Sequence, residues 1–335
     1  MMDKKAFEIQ FNWIFVLVAG AAILLFFTAV TVKQKNVAET STKATVLKSI
    51  EAIISGTSVS TDTTNIIDIP DSDIDIECNK ISISGTERVS KQYQSLILFA
   101  PSLIKGNKLI TQTLDFSIPY RVTNLLYITS PQLRYVIIGN NNLASEINKS
   151  LPVKSKKEFY QSMPEIKNSN NYQVRFVVFQ DDMISFPKSL EKMPDSDVTA
   201  IKINGDIEKG KIEFWQKNGD SWLSKGVSTY IGKQTLIGAV YTDTLDMYEC
   251  SMRNVFSRIN LVTKIQTERT QKLILRVMSN TGCNQFYNNG LSHLNNIFTA
   301  SLSFSIQNVD TIVESSKLLS DQNKNAQAYS CPLIY

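Results

Sequence analysis

The densest group of chemically capable side chains is Asp68, Asp71, Asp73, Asp75 and Glu77. Asp71, Asp73 and Asp75 have the spacing of the first three oxygen ligands of a calcium-binding loop. The match ends there, because Ile76 holds the glycine position and Ser82 stands where a bidentate glutamate closes such a loop. Isoleucines alternate with these carboxylates, so the same residues also describe the wet face of a strand. The strand face is the simpler reading; Asp71, Asp73 and Asp75 are kept as the chain's calcium candidates.

Other motifs fail on their missing companions. Ser102-Leu103-Ile104-Lys105 and Ser185-Phe186-Pro187-Lys188 match S-x-x-K, but no K-T-G accompanies them and no G-x-S-x-G occurs. A Ser-His-Asp triad would have to use His293, the only histidine, which falls on a predicted helix. Gly139 follows an apolar run as a nucleotide-binding turn would, but Asn140-Asn141-Asn142 comes next and the glycine pattern is not completed. No catalytic or cofactor-binding residue is assigned, and no cofactor is implied.

The four cysteines are Cys78, Cys250, Cys283 and Cys331. None are spaced as a metal finger, and there is no C-x-x-C. An even number in a tethered domain reads as two disulfides in an oxidising compartment.

The tether is the strongest signal in the chain. Phe11 to Val32 carries no charge, and about 20 apolar helical residues cross a hydrocarbon core. The run is too long for a cleavable signal core and lacks a small-x-small site after it. It predicts one spanning helix and a cell-membrane protein whose carboxyl-terminal domain lies outside. Lys4 and Lys5 before the span balance Lys33 and Lys35 after it, so flanking charge does not set the orientation. The cysteines and the single sequon Asn148-Lys149-Ser150 favour the outside. With 35 basic and 31 acidic residues intermixed, the net charge of +4 gives no basic stripe for nucleic acid.

Beyond the span, Val37, Ala44, Leu47, Ile50 and Ile54 recur at helical spacing, with no Gly or Pro before Gly56. This predicts one helix from about Phe7 to Ser55, with Val37, Leu47, Ile50 and Ile54 against the globular part.

Lys4-Lys5-Ala6 followed by Phe7-Glu8 and a long apolar helix resembles type IV pilins and their archaeal relatives. The resemblance covers about residues 1–55 and implies processing between Ala6 and Phe7, with the helix joining copies into an oligomer or filament. Ala6 stands in place of the usual glycine, and Glu8 would be the second mature residue where bacterial pilins have glutamate fifth. Phe7-Glu8-Ile9-Gln10-Phe11-Asn12-Trp13-Ile14-Phe15 and the closing Cys331-Pro332-Leu333-Ile334-Tyr335 also resemble a group of archaeal single-pass proteins to which no activity attaches. An uncleaved anchor is the plainer alternative to a working pilin.

The rest predicts an α+β fold: a mixed sheet with β-hairpins and a carboxyl-terminal antiparallel helical hairpin. Thr57–Asn65 reads as a loop and Ile66–Ile83 as strand. Ser95–Phe99, Leu125–Ile128, Leu133–Ile138 and Val174–Phe179 read as buried strands. Ala144–Leu151 is a short helix and Ser155–Asn171 an exposed connection. Short strands at Ile201–Ile203, Lys211–Trp215 and Ser221–Leu223 are separated by Asn204-Gly205 and Asn218-Gly219 turns. Leu236–Tyr241 reads as strand, and Asp243–Leu275 and Leu291–Leu319 as two long helices. The organisation is residues 1–56 as anchor and stem and 57–335 as an extracytoplasmic domain, divisible near 185/186.

Two antiparallel helices would bring Cys250 to Cys331, leaving Cys78 to pair with Cys283. The function this composition favours is non-enzymatic: structural, assembly or binding work at the cell envelope, with the lipid bilayer and other copies as partners. An envelope enzyme with carboxylates assembled by the fold, and a sensory input domain, are the alternatives.

Overall fold

A computed structural model of the chain describes residues 4–57, 62–84, 89–93, 96–167, 172–180, 182–276 and 282–335; the side chains of 4–12 and 57 lie outside that description. One helix, α1 (Lys4–Thr57), runs unbroken for 54 residues, about 80 Å at the usual rise. It contains no proline, and Gly20 is the only glycine before Gly56, so nothing in the sequence interrupts it.

Among the described residues the chain then builds three sheets. β1 (Thr63–Asp68), β2 (Ile74–Glu77), β3 (Lys80–Ile83), β4 (Val89–Gln92), β5 (Leu98–Phe99), β6 (Leu103–Ile104), β7 (Lys108–Ser117) and β8 (Arg121–Thr129) form two four-stranded sheets, ordered β4-β3-β2-β6 and β1-β7-β8-β5. The third sheet follows: β9 (Leu133–Ile138), α2 (Asn142–Ser150), β10 (Lys156–Tyr160), β11 (Gln173–Val178), β12 (Val198–Gly205), β13 (Lys209–Asn218) and β14 (Ser221–Ile231). Its order is β10-β9-β11-β12-β13-β14, parallel across β10, β9, β11 and β12 and antiparallel from there to β14. Four helices close the chain: α3 (Gly232–Tyr241), α4 (Leu245–Arg276), α5 (Cys283–Ala300) and α6 (Ile306–Ala328).

Alternation along single strands shows how the layers stack. In β8, Leu125 and Tyr127 enter the main core while Leu126 and Ile128 enter a second one. In β9, Tyr135 and Ile137 face the main core, and Val136 and Ile138 face a third. Side chains of a strand point alternately to opposite faces, so each of these sheets is covered on both sides. The order through the molecule is the stem, the second core, the β1-β7-β8-β5 sheet, the main core with α3 and α4, the large sheet, and the third core.

The stem belongs to the second core. Val46, Leu47 and Ile50 are buried there among Ile74, Ile76, Ile81 and Ile83, and Ile54 packs at its margin. Val37, expected against the head, is 63% exposed, because the head begins only farther along the helix. Val46, off the stripe read from sequence, takes its place.

Four element assignments are corrected. Leu236–Tyr241 is helix: every residue from Thr235 to Tyr241 is buried, so the run is uniformly apolar and shows no helical period. Ile66–Ile83 is interrupted, with β2 and β3 forming a hairpin about Cys78 and Asn79, whose φ of 59° makes the turn. Thr63–Asn65, the first half of β1, and Lys156–Tyr160 are polar edge-strand residues where loops were expected.

The expected helix Leu291–Leu319 is two helices. α5 ends at Ala300, and Ser305 starts α6 by accepting from the Asn308 N–H at 3.2 Å, so the chain reverses. That reversal overturns the predicted cysteine pairing. It returns the tail to the beginning of α5, where Cys331 bonds Cys283 with Cα atoms 5.8 Å apart. Cys250 instead bonds Cys78, Cα atoms 5.9 Å apart, where α4 crosses the β2–β3 turn.

Candidate functional site

The first candidate is the apolar half of α1. From Trp13 to Val32 its large side chains project outward, Trp13 and Phe15 each 72% exposed and Leu17 57%. Thr28 and Thr31 return their hydroxyls to carbonyls of the preceding turn, which leaves no unpaired polar atom at those two positions. This is the one helix among the described residues long and apolar enough to cross a membrane. Ala6 and Phe7, the processing candidates, fall on the helical backbone of α1 with side chains outside the described set.

Where the stem meets the head, Lys43 is buried and pairs with Glu39 one turn back at 2.7 Å. Asp71 and Asp73 line an open cavity of about 500 Å³ with these two residues. Asp75 lies on β2 and accepts from Ser84 Oγ at 2.6 Å. The three calcium candidates therefore do not converge, and no group of three or more His, Cys, Asp or Glu among the described residues is arranged for a metal.

The second candidate is a buried polar corner that sequence reading did not find. Arg175, on β11 between Tyr135 of β9 and Thr199 of β12, is fully buried. Its guanidinium donates to the carbonyls of Ala239 at 3.0 Å, Asp243 at 3.3 Å and Thr242. Ala239 lies in the last turn of α3 and Thr242 is its C-cap, so a strand cation caps that helix. Burial pulls the Arg175 pKa down to about 10 against the opposing pull of Asp243, so the group stays charged at neutral pH.

Asp243, in the turn between α3 and α4, accepts from Ser102 N–H at 2.9 Å, Ser102 Oγ at 2.7 Å and Gln173 Nε2 at 2.9 Å. One carboxylate thus joins the loop after β5, the start of β11 and the helical corner. Beside it opens a cavity of about 300 Å³ with Thr199, Phe214 and Trp215 in its wall and Lys225 and Asp246 at its rim. Ser102, the serine of one S-x-x-K match, is bound to this carboxylate. Lys105 is not part of the arrangement: its Nζ lies 6.0 Å over the Tyr172 ring.

A larger groove of about 570 Å³ runs between the outer edge of β14, α4 and the α5–α6 turn. Its serines are largely spent on that turn: Ser301 Oγ bonds Phe298 O, Ser305 caps α6, and Asn308 reaches Ser303.

The remaining motif residues have structural roles or none. Gly139 is a packing glycine, since a Cβ there would lie 2.7 Å from Phe179 Cβ and 3.0 Å from Ala144 Cβ. Asn141 spends its Oδ1 on capping α2, accepting from the Ala144 N–H at 2.8 Å. His293 is half-buried on α5, and Asn148 of the sequon is half-buried on α2. Ser185 and Lys188 lie on the margin of the third core.

No family model, no curated protein and no solved structure matches this chain. Function therefore rests on the anchor, the stem and the polar corner themselves.

Proposed function

We propose that this chain is a single-pass membrane protein whose stem helix holds an α+β head on the oxidising, outer side of the cell membrane for a structural, assembly or binding role. The observation that carries the reading is the division of labour along α1. Its first half offers apolar side chains on every side, and its second half is part of the head's core through Val46, Leu47 and Ile50. A helix apolar all round needs a lipid or protein environment, whereas a partly buried one is already satisfied. The pairs Cys78–Cys250 and Cys283–Cys331 support the outer side, because disulfides persist in oxidising compartments.

Placing a single reactive cysteine at Val153, which is 90% exposed, tests this. A membrane-impermeant thiol reagent should label Val153→Cys in intact cells. Labelling only after permeabilisation would put the head inside and overturn the orientation.

The unbroken Lys4–Thr57 helix also favours a pilin-like use, in which copies associate through α1. On that reading the mature chain begins at Phe7. An intact mass that still includes Met1 or Met2 would leave the plain anchor.

A further inference from the structure

We infer that the groove along the outer edge of β14 receives an extended, uncharged peptide segment of a partner protein, which adds one strand to the large sheet. This goes beyond the anchoring role, and the labelling result at Val153 stands whichever way the test below falls.

Three observations select this occupant. The first is the edge itself. β14 is the last strand of its sheet and runs for 11 residues. Gly232 N–H donates to Glu208 O, which sets the alternation of the antiparallel ladder. The backbone groups of Tyr230 and Ser228 therefore turn toward β13, and those of Ile231, Thr229 and Val227 turn outward. Contacts from outside the sheet agree: both backbone groups of Ile231 bond Thr235 Oγ1, and Thr229 O accepts from Tyr248 at 3.0 Å. These contacts close the edge at its α3 end, and a register shift opposite Phe214 and Trp215 interrupts it on the other side. Between the two closures Val227, 50% exposed, presents its N–H and C=O to the groove. No charge or proline blunts the edge from Val227 to Thr229, and a donor and acceptor on one strand residue are what an added strand pairs with.

The second is the shape of the groove. α4 forms one wall and the α5–α6 turn the other, about 570 Å³ apart from the edge that forms the floor. Asn260 of α4 donates to Phe298 O at 2.9 Å and to Ser301 Oγ at 3.1 Å, which fixes the two walls to each other before anything binds. A second copy pairing through its own β14 would carry its own α4 and α5–α6 turn into these walls. A lone extended segment meets no such obstacle.

The third is the chemistry of the walls. Leu302 is 67% exposed and Ile306 40%, both beside Val227 in the groove lining. On the α4 wall Arg253 stands 3.8 Å from Glu249, so the charges there are matched. Apolar side chains on the incoming strand gain contact with Leu302 and Ile306, whereas a charged one finds no unmatched partner on this pair.

The test uses the full chain in lipid nanodiscs and saturation-transfer NMR at millimolar peptide. The probes are a capped pentapeptide alternating threonine and valine, the same peptide N-methylated at its central residue, and versions with lysine or glutamate in place of the valines. The unmodified peptide should bind saturably. N-methylation keeps the side chains but removes a main-chain donor, and should weaken binding by at least about threefold. Val227→Pro removes the outward N–H, which proline can replace on an edge strand, and should weaken binding as much. Leu302→Ser, at an exposed turn position, should weaken it too and keeps the inference testable if Val227→Pro does not fold. The inference is overturned if the threonine–valine peptide does not bind, if its N-methylated form binds equally, if the folded variants bind as the wild type does, or if a charged peptide binds in preference. Dimers of the chain that Val227→Pro dissolves, with no peptide bound, would give the edge to a second copy instead.

Discussion

Ile50→Ala offers the sharpest test of whether the stem is part of the head. Ile50 is 1% exposed and packs within the second core with Val46, Leu47 and the isoleucines of β2 and β3. Truncation removes three methylene-sized groups at about 0.8 kcal/mol each, or about 2.4 kcal/mol of transfer free energy. The space left behind adds to this, giving about 2–5 kcal/mol in all. Val37→Ala removes apolar atoms from the same helix at a 63% exposed position and should cost about 0.5 kcal/mol or less. Guanidinium unfolding in nanodiscs reads both, with fluorescence from Trp215 and Trp222 in a Trp13→Phe background. The midpoint should fall for Ile50→Ala and hold for Val37→Ala. Equal midpoints for the two variants would mean that the stem lies beside the head without contributing to its core, and the argument built on α1 would fail.

Peptide mapping without reductant should recover Cys78–Cys250 and Cys283–Cys331, and a Cys250–Cys331 peptide would refute the three-helix arrangement. Opening the second bond by Cys331→Ser should lower stability by about 2–4 kcal/mol in the same unfolding assay. At Glu158, burial raises the pKa, but hydrogen bonds from Arg134 and Tyr160 outweigh it and hold the carboxyl below its ordinary 4.5. A carboxyl depressed on folding stabilises above its unfolded value, and that contribution is lost as pH falls through the folded one. Glu158→Gln should therefore flatten the stability curve below about pH 4.5, and an unchanged acid limb would remove this pair from the account. Gly139→Ala drives a methyl group against Phe179 and Ala144 and should cost about 1–3 kcal/mol; a neutral thermal midpoint would show that the β9–α2 turn yields.

Local pattern carried the fold wherever one face of an element is buried or a run is short and apolar. Leu133–Ile138 reads as strand and is β9 to the residue, and the Asn218-Gly219 turn, with Gly219 at φ 66°, joins β13 to β14. Pattern failed at its two extremes. α3 is buried on all sides and so looks like an apolar strand, while the Thr63–Asn65 start of β1 and the whole of β10 lie on sheet edges and look like polar loop. The break between α5 and α6 uses neither glycine nor proline, only serine capping, and missing it misdirected both disulfides. The polar corner was illegible for another reason. Ser102, Gln173, Arg175 and Asp243 meet only once two sheets and a helical turn are stacked, and no spacing along the chain encodes that meeting.

The Cys78–Cys250 bond decides which backbone cuts could release the head. It closes a covalent ring that contains β3 through β14 and α3. A protease that nicks any surface loop between those two cysteines leaves both pieces joined, and both still tied through Cys78 to the anchor. A cut after Cys250 frees at most the helices that follow. Detaching the large sheet from a membrane by one cleavage therefore requires a cut between the span and Cys78. The bond makes most of the head's exposed loops irrelevant to shedding and concentrates control of release in the exposed turns of the stem and the short chain leading to β2.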